Sequence, residues 1–168
     1  RSLERTERFF WSFCDDYLEL VKSRAYGDAG DDSVRSARVT LRIALSTLQR
    51  LFAPVLAYVS EEVWSWWREG SVHRAEWPGS AALRVDGADP LVYTVAAEVL
   101  AEVRKAKSTA KVSLAAPADV VRVTDTPERL AAFEAARQDV CDAGKIVKLD
   151  VEPGSSSTVV VELGEPSS

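Results

Sequence analysis

The chain has 168 residues, of which 46% are hydrophobic and 28% charged, and a formal net charge of −5. That length suits one domain or two small ones with a real core, and the negative balance excludes a generally basic nucleic-acid binder, so any contact with a polyanion must be a local patch. No apolar run is long enough to cross a bilayer, and the charged opening RSLERTER is no signal peptide. The chain contains no Met, so as written it does not begin at a natural start codon and reads as a piece of something longer. Cys14 and Cys141 have no Cys or His neighbour at metal spacing, which predicts buried or partly buried thiols in a reducing compartment.

The first predicted helix runs from Arg8 to Tyr26, RFFWSFCDDYLELVKSRAY. At about 100° per residue, Phe9, Phe10, Trp11, Phe13, Cys14, Tyr17, Leu18, Leu20, Val21 and Ala25 share one broad face. Arg8, Ser12, Asp15, Asp16, Glu19, Lys22 and Ser23 take the other, and Arg24 alone intrudes on the apolar arc. A face that broad asks for at least two partners, so a helical bundle is expected, with most of those rings in its core. Residues 27–32 form an acidic loop. Ser33 then caps a second helix from Val34 to about Phe52. On it Arg38, Arg42 and Arg50 fall within about 60° of Arg35, opposite Ala44, Leu45, Leu48, Leu51 and Phe52. Val39 and Ile43 lie outside that apolar arc, so the helix is expected to touch more than one neighbour. Pro54 breaks the chain. Ala57 to Val59 bridge to a third helix, capped by Ser60, with Val63, Trp64 and Trp67 inward and Gly70 at its end. The turn-rich SVHRAEWPGS closes this bundle, residues 1–80, and 81–89 reads as a linker.

Residues 90–168 read as a second, smaller module. Asp89 caps a fourth helix with Pro90 at its first position, and Leu91, Val92, Val95, Ala96, Val99, Leu100 and Val103 repeat in helical register. It exits through Arg104, Lys105, Lys107 and Lys111. A strand at Val120 to Thr124 follows, then one helix from Thr126-Pro127-Glu128 to near Gly144. Lys145 to Glu152 and Thr158 to Leu163 are expected to pair as a hairpin around Pro153 to Ser157, and 164–168 is a frayed tail. The fold class is mainly α: an antiparallel helix bundle followed by a small α-β-α-β-β module.

Enzyme signatures are mostly absent: no Walker A, GxGxxG, GxSxG or HExxH. His73, the only histidine, reads as a structural hydrogen-bonding residue. Asp15 and Asp16 diverge by about 100° on a helix and so do not form a catalytic pair; solvation or a salt bridge accounts for both. Of Trp64, Trp66 and Trp67, two belong in a core and one is exposed. The arginine stripe on the second helix is the best candidate for phosphate contact, since guanidinium forks match phosphate oxygens. An ordinary solvated face explains the same spacing equally well. Lysines in the loop after the fourth helix suit tracking of a backbone.

FFWSFCDDYLELVKSRAY, then LQRLFAPVLAYVSEEVWSWW, then SVHRAEWP, in that order and spacing, closely resemble the anticodon-binding region of the valyl-tRNA synthetase family. VRKAKSTAKVSLAAP resembles the segment that follows that bundle in the same family. The isoleucyl and leucyl enzymes share the bundle, but SVHRAEWP fits the valyl type best. The resemblance implies an anticodon-binding helix bundle, no catalytic residue, metal or cofactor in this chain, and ATP with Mg in a catalytic domain elsewhere in the enzyme. It implies as partners the anticodon stem-loop of a valine tRNA and the remainder of the synthetase chain. Neither membrane nor DNA is implied, and the setting is a cytoplasmic monomer. Lys105-Ala106-Lys107-Ser108 is not the family's KMSKS signature, because it follows the bundle rather than preceding it. Residues 119–163 lack the heptads of the coiled-coil arm that many bacterial members carry; a shorter form, or a chain cut before any arm, is expected. On this reading Arg35, Arg38 and Arg42 contact phosphates, with Lys105, Lys107 and Lys111 as secondary candidates, and Arg8, Phe9 and Asp16 lie near the bases. The alternatives are a non-catalytic protein-interaction module and the equivalent part of an isoleucyl-type enzyme.

Overall fold

The computed structural model describes residues 1–27 and 30–164. The middle of the acidic loop and the expected tail beyond Gly164 lie outside the described residues. A long helical rod opens the chain. Helix α1 (Ser2–Ser12) passes through a π-helical turn (Phe13–Tyr17) into α2 (Leu18–Tyr26) and ends at Gly27, whose φ of 105° suits glycine alone. The rod starts six residues earlier than expected, because Leu3-Glu4-Arg5-Thr6-Glu7 are mostly good helix formers and need no apolar face.

The apolar face is less buried than its composition suggests. Only Leu20 and Val21 of that face are fully covered, while Trp11 is 60% and Phe9 49% exposed. A π turn separates these exposed rings from Leu20 and Val21. Leu18 N–H bonds the Phe13 carbonyl, five residues back, so one residue is added to the turn and a wheel drawn at a constant angle loses its phase there.

Helix α3 (Asp31–Phe52) starts after Gly30 rather than Ser33, with Asp31 and Asp32 in its first turn, where carboxylates favour the helix dipole. Helix α4 (Ala57–Ser65) begins after Leu56, and Ser60, expected as its cap, is buried inside it. Short 3₁₀ turns at Val72–Arg74 and Ser80–Leu83 lead to α5 (Pro90–Thr109), which is capped as expected by the Asp89 carboxylate on Leu91 N at 2.9 Å. The single helix expected after the first strand is two, α6 (Pro127–Glu134) and α7 (Arg137–Gly144). The bend at Ala135-Ala136 lets Phe133, Ala136 and Val140 all face the same core.

The sheet also corrects an expectation. Strands β1 (Ala118–Asp125), β2 (Ile146–Pro153) and β3 (Thr158–Leu163) are ordered β2-β1-β3, so β2 and β3 do not form a hairpin. β1 runs parallel to β2, from Ala118↔Ile146 to Asp125↔Pro153, and antiparallel to β3. β1 carries the deeply buried Ala118, Val121 and Val123, and takes the centre, where both its edges are paired. Gly154 marks the crossing over its end. Its N–H donates to the Asp125 carbonyl at 2.8 Å, and a Cβ there would collide with Thr124 Cγ2.

The main core joins both halves of the chain. Leu20 of α2 packs with Val95, Val99, Leu100 and Val103 of α5 and with residues of β1, α6 and α7. Arg24, the intruder on the apolar arc, is explained by Asp139 of α7 at 2.7 Å. A smaller core of Ala53, Trp64 and Val72 holds α3, α4 and the 3₁₀ turn together, with Trp67 against it.

Among the described residues two charged groups lie inside. Lys107 is 1% exposed and donates to the carbonyls of Leu114 at 3.1 Å, Ala116 at 2.6 Å and Gly144 at 2.7 Å. Lys107→Met leaves three carbonyls without a donor and is expected to cost about 3 kcal/mol in urea unfolding; an unchanged midpoint would show the clamp to be dispensable. Asp125 is 2% exposed. Burial alone would raise its pKa, but hydrogen bonds from Arg129, the Thr126 N–H and Ser157 outweigh it and hold the carboxyl below its ordinary value. Its contribution is therefore complete above the unfolded-state value near 4 and is lost as pH falls through the lower folded-state value. Asp125→Asn should melt well below the native chain at pH 7, with the gap closing in melts below about pH 4.

Candidate nucleic-acid interface

The outer face of α3 carries the row Arg35, Arg38 and Arg42. Arg35 is exposed and paired with Asp32. Arg38 Nε donates to the Ala25 carbonyl at 3.0 Å, which ties the row to the end of α2. Arg42 lies over the ring of Trp67 at 5.7 Å. Neither Arg38 nor Arg42 has a carboxylate partner among the described residues, so both keep their charge toward solvent. Arg50, on the same stripe, plays a different part. It donates to Ser46 O and Glu76 O, each at 3.0 Å, and straps the 71–80 segment to α3.

Beside the row, Val39 and Ile43 are 50% and 46% exposed rather than covered by a second neighbour. They are the apolar margin between the arginines and a cleft of about 420 Å³ whose walls include Phe9, Phe13, Tyr17, Ile43, Thr47 and Tyr93. The rings form a chain: Phe9 to Phe13 at 6.0 Å, Phe13 stacked on Tyr17 at 5.4 Å, and Tyr17 to Tyr93 at 6.2 Å. Tyr93 is fixed by Ser12, through its hydroxyl at 2.7 Å and its carbonyl at 3.2 Å. Tyr17 bonds Thr40, and burial raises its pKa above the ordinary phenol value. Thr47 Oγ1 is buried with no hydrogen-bond partner among the described residues. An apolar slot with a few hydroxyls on its wall suits a flat, partly polar ring. Sequence reasoning places Phe13 and Tyr17 in the core and gives Tyr93 no role. The available signal is that tyrosines carry a polar tip that seeks a partner.

The other expected contact residues are scattered. Arg8 is exposed on α1 and Phe9 half-exposed on the cleft wall. Asp16, in the π turn, pairs with Arg104 at 3.3 Å, and the same guanidinium bonds the Asp15 carbonyl at 2.7 Å. Lys105 is exposed but pairs with Glu102 and faces β3, not the cleft. Lys111 is exposed, with φ at 56°. Lys107 corrects the expectation of a phosphate contact: it is sealed inside, and burial together with Lys145 lowers its pKa.

His73 is structural, with Nε2 at 3.3 Å from the Ala57 carbonyl. Of the clustered tryptophans Trp64 is buried and Trp66 is 70% exposed, as expected. Cys14 and Cys141 are free and partly buried, and burial raises both thiol pKa values, which makes them poor nucleophiles. Among the described residues no group of three or more His, Cys, Asp or Glu is placed to hold a metal, and no helix is long and apolar enough to cross a membrane.

Residues 1–122 match the family described as the anticodon-binding domain of tRNA ligase, and the chain belongs to that family. Its relatives narrow the type. The chain is 48% identical to a valine–tRNA ligase of Salinispora tropica over 183 aligned positions, covering 98% of this chain and 21% of that protein. It is 48% identical to the valine–tRNA ligase of Thermobifida fusca (97% and 18% covered) and 49% identical to that of Leifsonia xyli subsp. xyli (95% and 18%). The chain thus spans about a fifth of the length of the curated relatives it matches. The resemblance drawn from FFWSFCDDYLELVK and SVHRAEWP is borne out.

Proposed function

We propose that this chain grips the anticodon stem-loop of a valine tRNA and serves a valine–tRNA ligase, which joins valine to that tRNA with ATP and Mg in a catalytic part elsewhere in the enzyme. The observation that carries the reading is the juxtaposition on α3: Arg38 and Arg42, without a carboxylate partner among the described residues, on one side and an aromatic slot on the other. Single-stranded loops are read by splaying bases onto aromatic and polar groups while phosphates meet cations. Arg35, Arg38 and Arg42 hold the backbone. An unstacked base enters between Phe9, Phe13, Tyr17 and Tyr93, where the Thr47 hydroxyl meets its edge. Arg8 lies one position before Phe9 on α1 and flanks the entry. Lys105 and Lys111 make weaker backbone contacts on a second surface, and Asp16 serves by holding Arg104. No step of the aminoacylation takes place on this chain; its work is to hold one end of the tRNA so that the other reaches the catalytic centre. The enzyme acts as a monomer in the cytoplasm.

The test is binding of this chain to valine tRNA transcripts. Arg35→Glu/Arg38→Glu/Arg42→Glu should weaken binding by about a hundredfold or more and flatten its salt dependence by about two to three in log–log slope. A transcript with a changed anticodon, or an isoleucine tRNA, should bind distinctly more weakly than the valine transcript. Unchanged affinity and slope in the triple variant, or equal binding to every transcript, would overturn the reading.

A further inference from the structure

The arginine row has a continuation that does not come from α3. Along the α3 stripe the next positions after Arg42 are Ser46 and Gln49, both buried and neither charged, and Arg50 beyond them is engaged by the carbonyls of Ser46 and Glu76, so the row does not continue along α3 itself. Over this stretch lies Trp67, from the turn after α4. Its indole N–H donates to Gln49 Oε1 at 3.1 Å, and its ring packs on Trp64 at 5.6 Å. The bond and the packing fix the plane of the indole. Two guanidinium groups then sit over that one ring, Arg42 at 5.7 Å and Arg68 at 4.8 Å, with Arg68 also over Trp64 at 5.7 Å. Both arginines are exposed, and neither has a carboxylate partner among the described residues. A cation over an aromatic face is attracted by the ring quadrupole, and a guanidinium lying there keeps its edge N–H donors turned outward.

We infer that Arg42 and Arg68, racked on the indole of Trp67, form a preorganised cradle for an RNA backbone phosphate, continuing the Arg35–Arg38–Arg42 row onto the turn after α4. Trp67 is a positioning residue: it touches no RNA itself and acts by holding both guanidiniums. This rests on the tRNA-binding reading above. The site is an anion site rather than a second base platform, because the Trp67 ring is taken up by cations, leaving donors and positive charge as the outward chemistry. Fixing two long side chains in advance removes a cost of ordering that flexible arginines otherwise meet on binding.

The experiment measures binding of the full chain to the valine tRNA transcript over a range of KCl concentrations. Arg68→Gln should weaken binding about fivefold to tenfold and lower the log–log salt slope by about one, with the melting temperature unchanged, since Arg68 is exposed. Arg68→Lys keeps the charge without the planar stack and should keep the slope while losing part of the affinity. Trp67→Phe keeps an apolar ring and loses the bond to Gln49. In the Trp67→Phe background, adding Arg68→Gln should weaken binding less than it does in the native chain, because the two residues act together. Arg38→Gln/Arg42→Gln is the reference for the α3 row. If that pair weakens binding and Arg68→Gln leaves affinity and slope as in the native chain, the cradle is overturned and the tRNA-binding reading stands. If neither variant changes anything, both are overturned.

Discussion

The ammonium of Lys107 fixes where the two halves of the α/β region meet. Its three carbonyl acceptors are Leu114 and Ala116, on the loop from α5 to β1, and Gly144 at the end of α7. Ala116 and Gly144 each lie two residues before Ala118 and Ile146, the first partners in the parallel pairing of β1 with β2. A parallel pair has no tight turn to set its register, because the chain must travel a whole crossover before it returns. Here a buried cation sets it by gathering both strand entries at one point, next to the Ala118 N–H bond to the Lys145 carbonyl at 2.9 Å. Burying a charge is tolerable only when its hydrogen bonds are complete, and three carbonyls meet that requirement for one ammonium.

From there the dependence runs toward the aromatic cleft and the arginine row. With β1 and β2 registered, α5 is seated on the sheet through Val99, Leu100 and Val103. The same helix sends Tyr93 to Ser12 and Arg104 to the π turn. Those contacts hold the opening rod at the point where its hydrogen-bond pattern widens. The π turn in its place presents Phe13 and Tyr17 as the stacked wall of the cleft, and Arg24 is locked on Asp139 further along the rod. The small sheet, whose residues do not line the cleft, thus fixes the angle of one of its walls.

Much of this is legible in the residues, and the exceptions have physical causes. Asp89-Pro90 announces the start of α5 because capping is local chemistry. The strands announce themselves by β-branched alternation, but their order does not follow from it. A hairpin between β2 and β3 is the local expectation, and the burial of β1, a property of the whole sheet, requires the other arrangement. Lys107 reads as one of a run of loop cations, although it falls four residues after Val103 and so continues the buried stripe of Val99 and Val103. Helical register is the better guide there than charge. Arg24 breaks the apolar pattern for a partner 115 positions away, which no local pattern reveals. The slot is hidden for a similar reason. A wheel drawn at constant pitch cannot show a π turn, so it assigns Phe13 and Tyr17 to a core that the real rod does not close over them.

The acidity of the chain is compatible with a polyanion partner because of where the charges lie. Residues 1–80 carry 11 basic and 12 acidic side chains, and the remainder 10 and 14, so the excess negative charge sits mostly in the α/β region. Among the described residues, Asp31 and Asp32 at the start of α3 lie beside the arginine row, and Asp32 is already paired with Arg35. The row from Arg35 to Arg42 spans about 10 Å along the helix, comparable with the screening length of about 10 Å at 0.1 M salt. At that range a phosphate held against Arg38 and Arg42 feels the guanidiniums strongly and the distant carboxylates weakly. Affinity on such a surface is governed by local geometry, and a guanidinium held still by a neighbouring ring matters more to it than the formal charge of the whole chain.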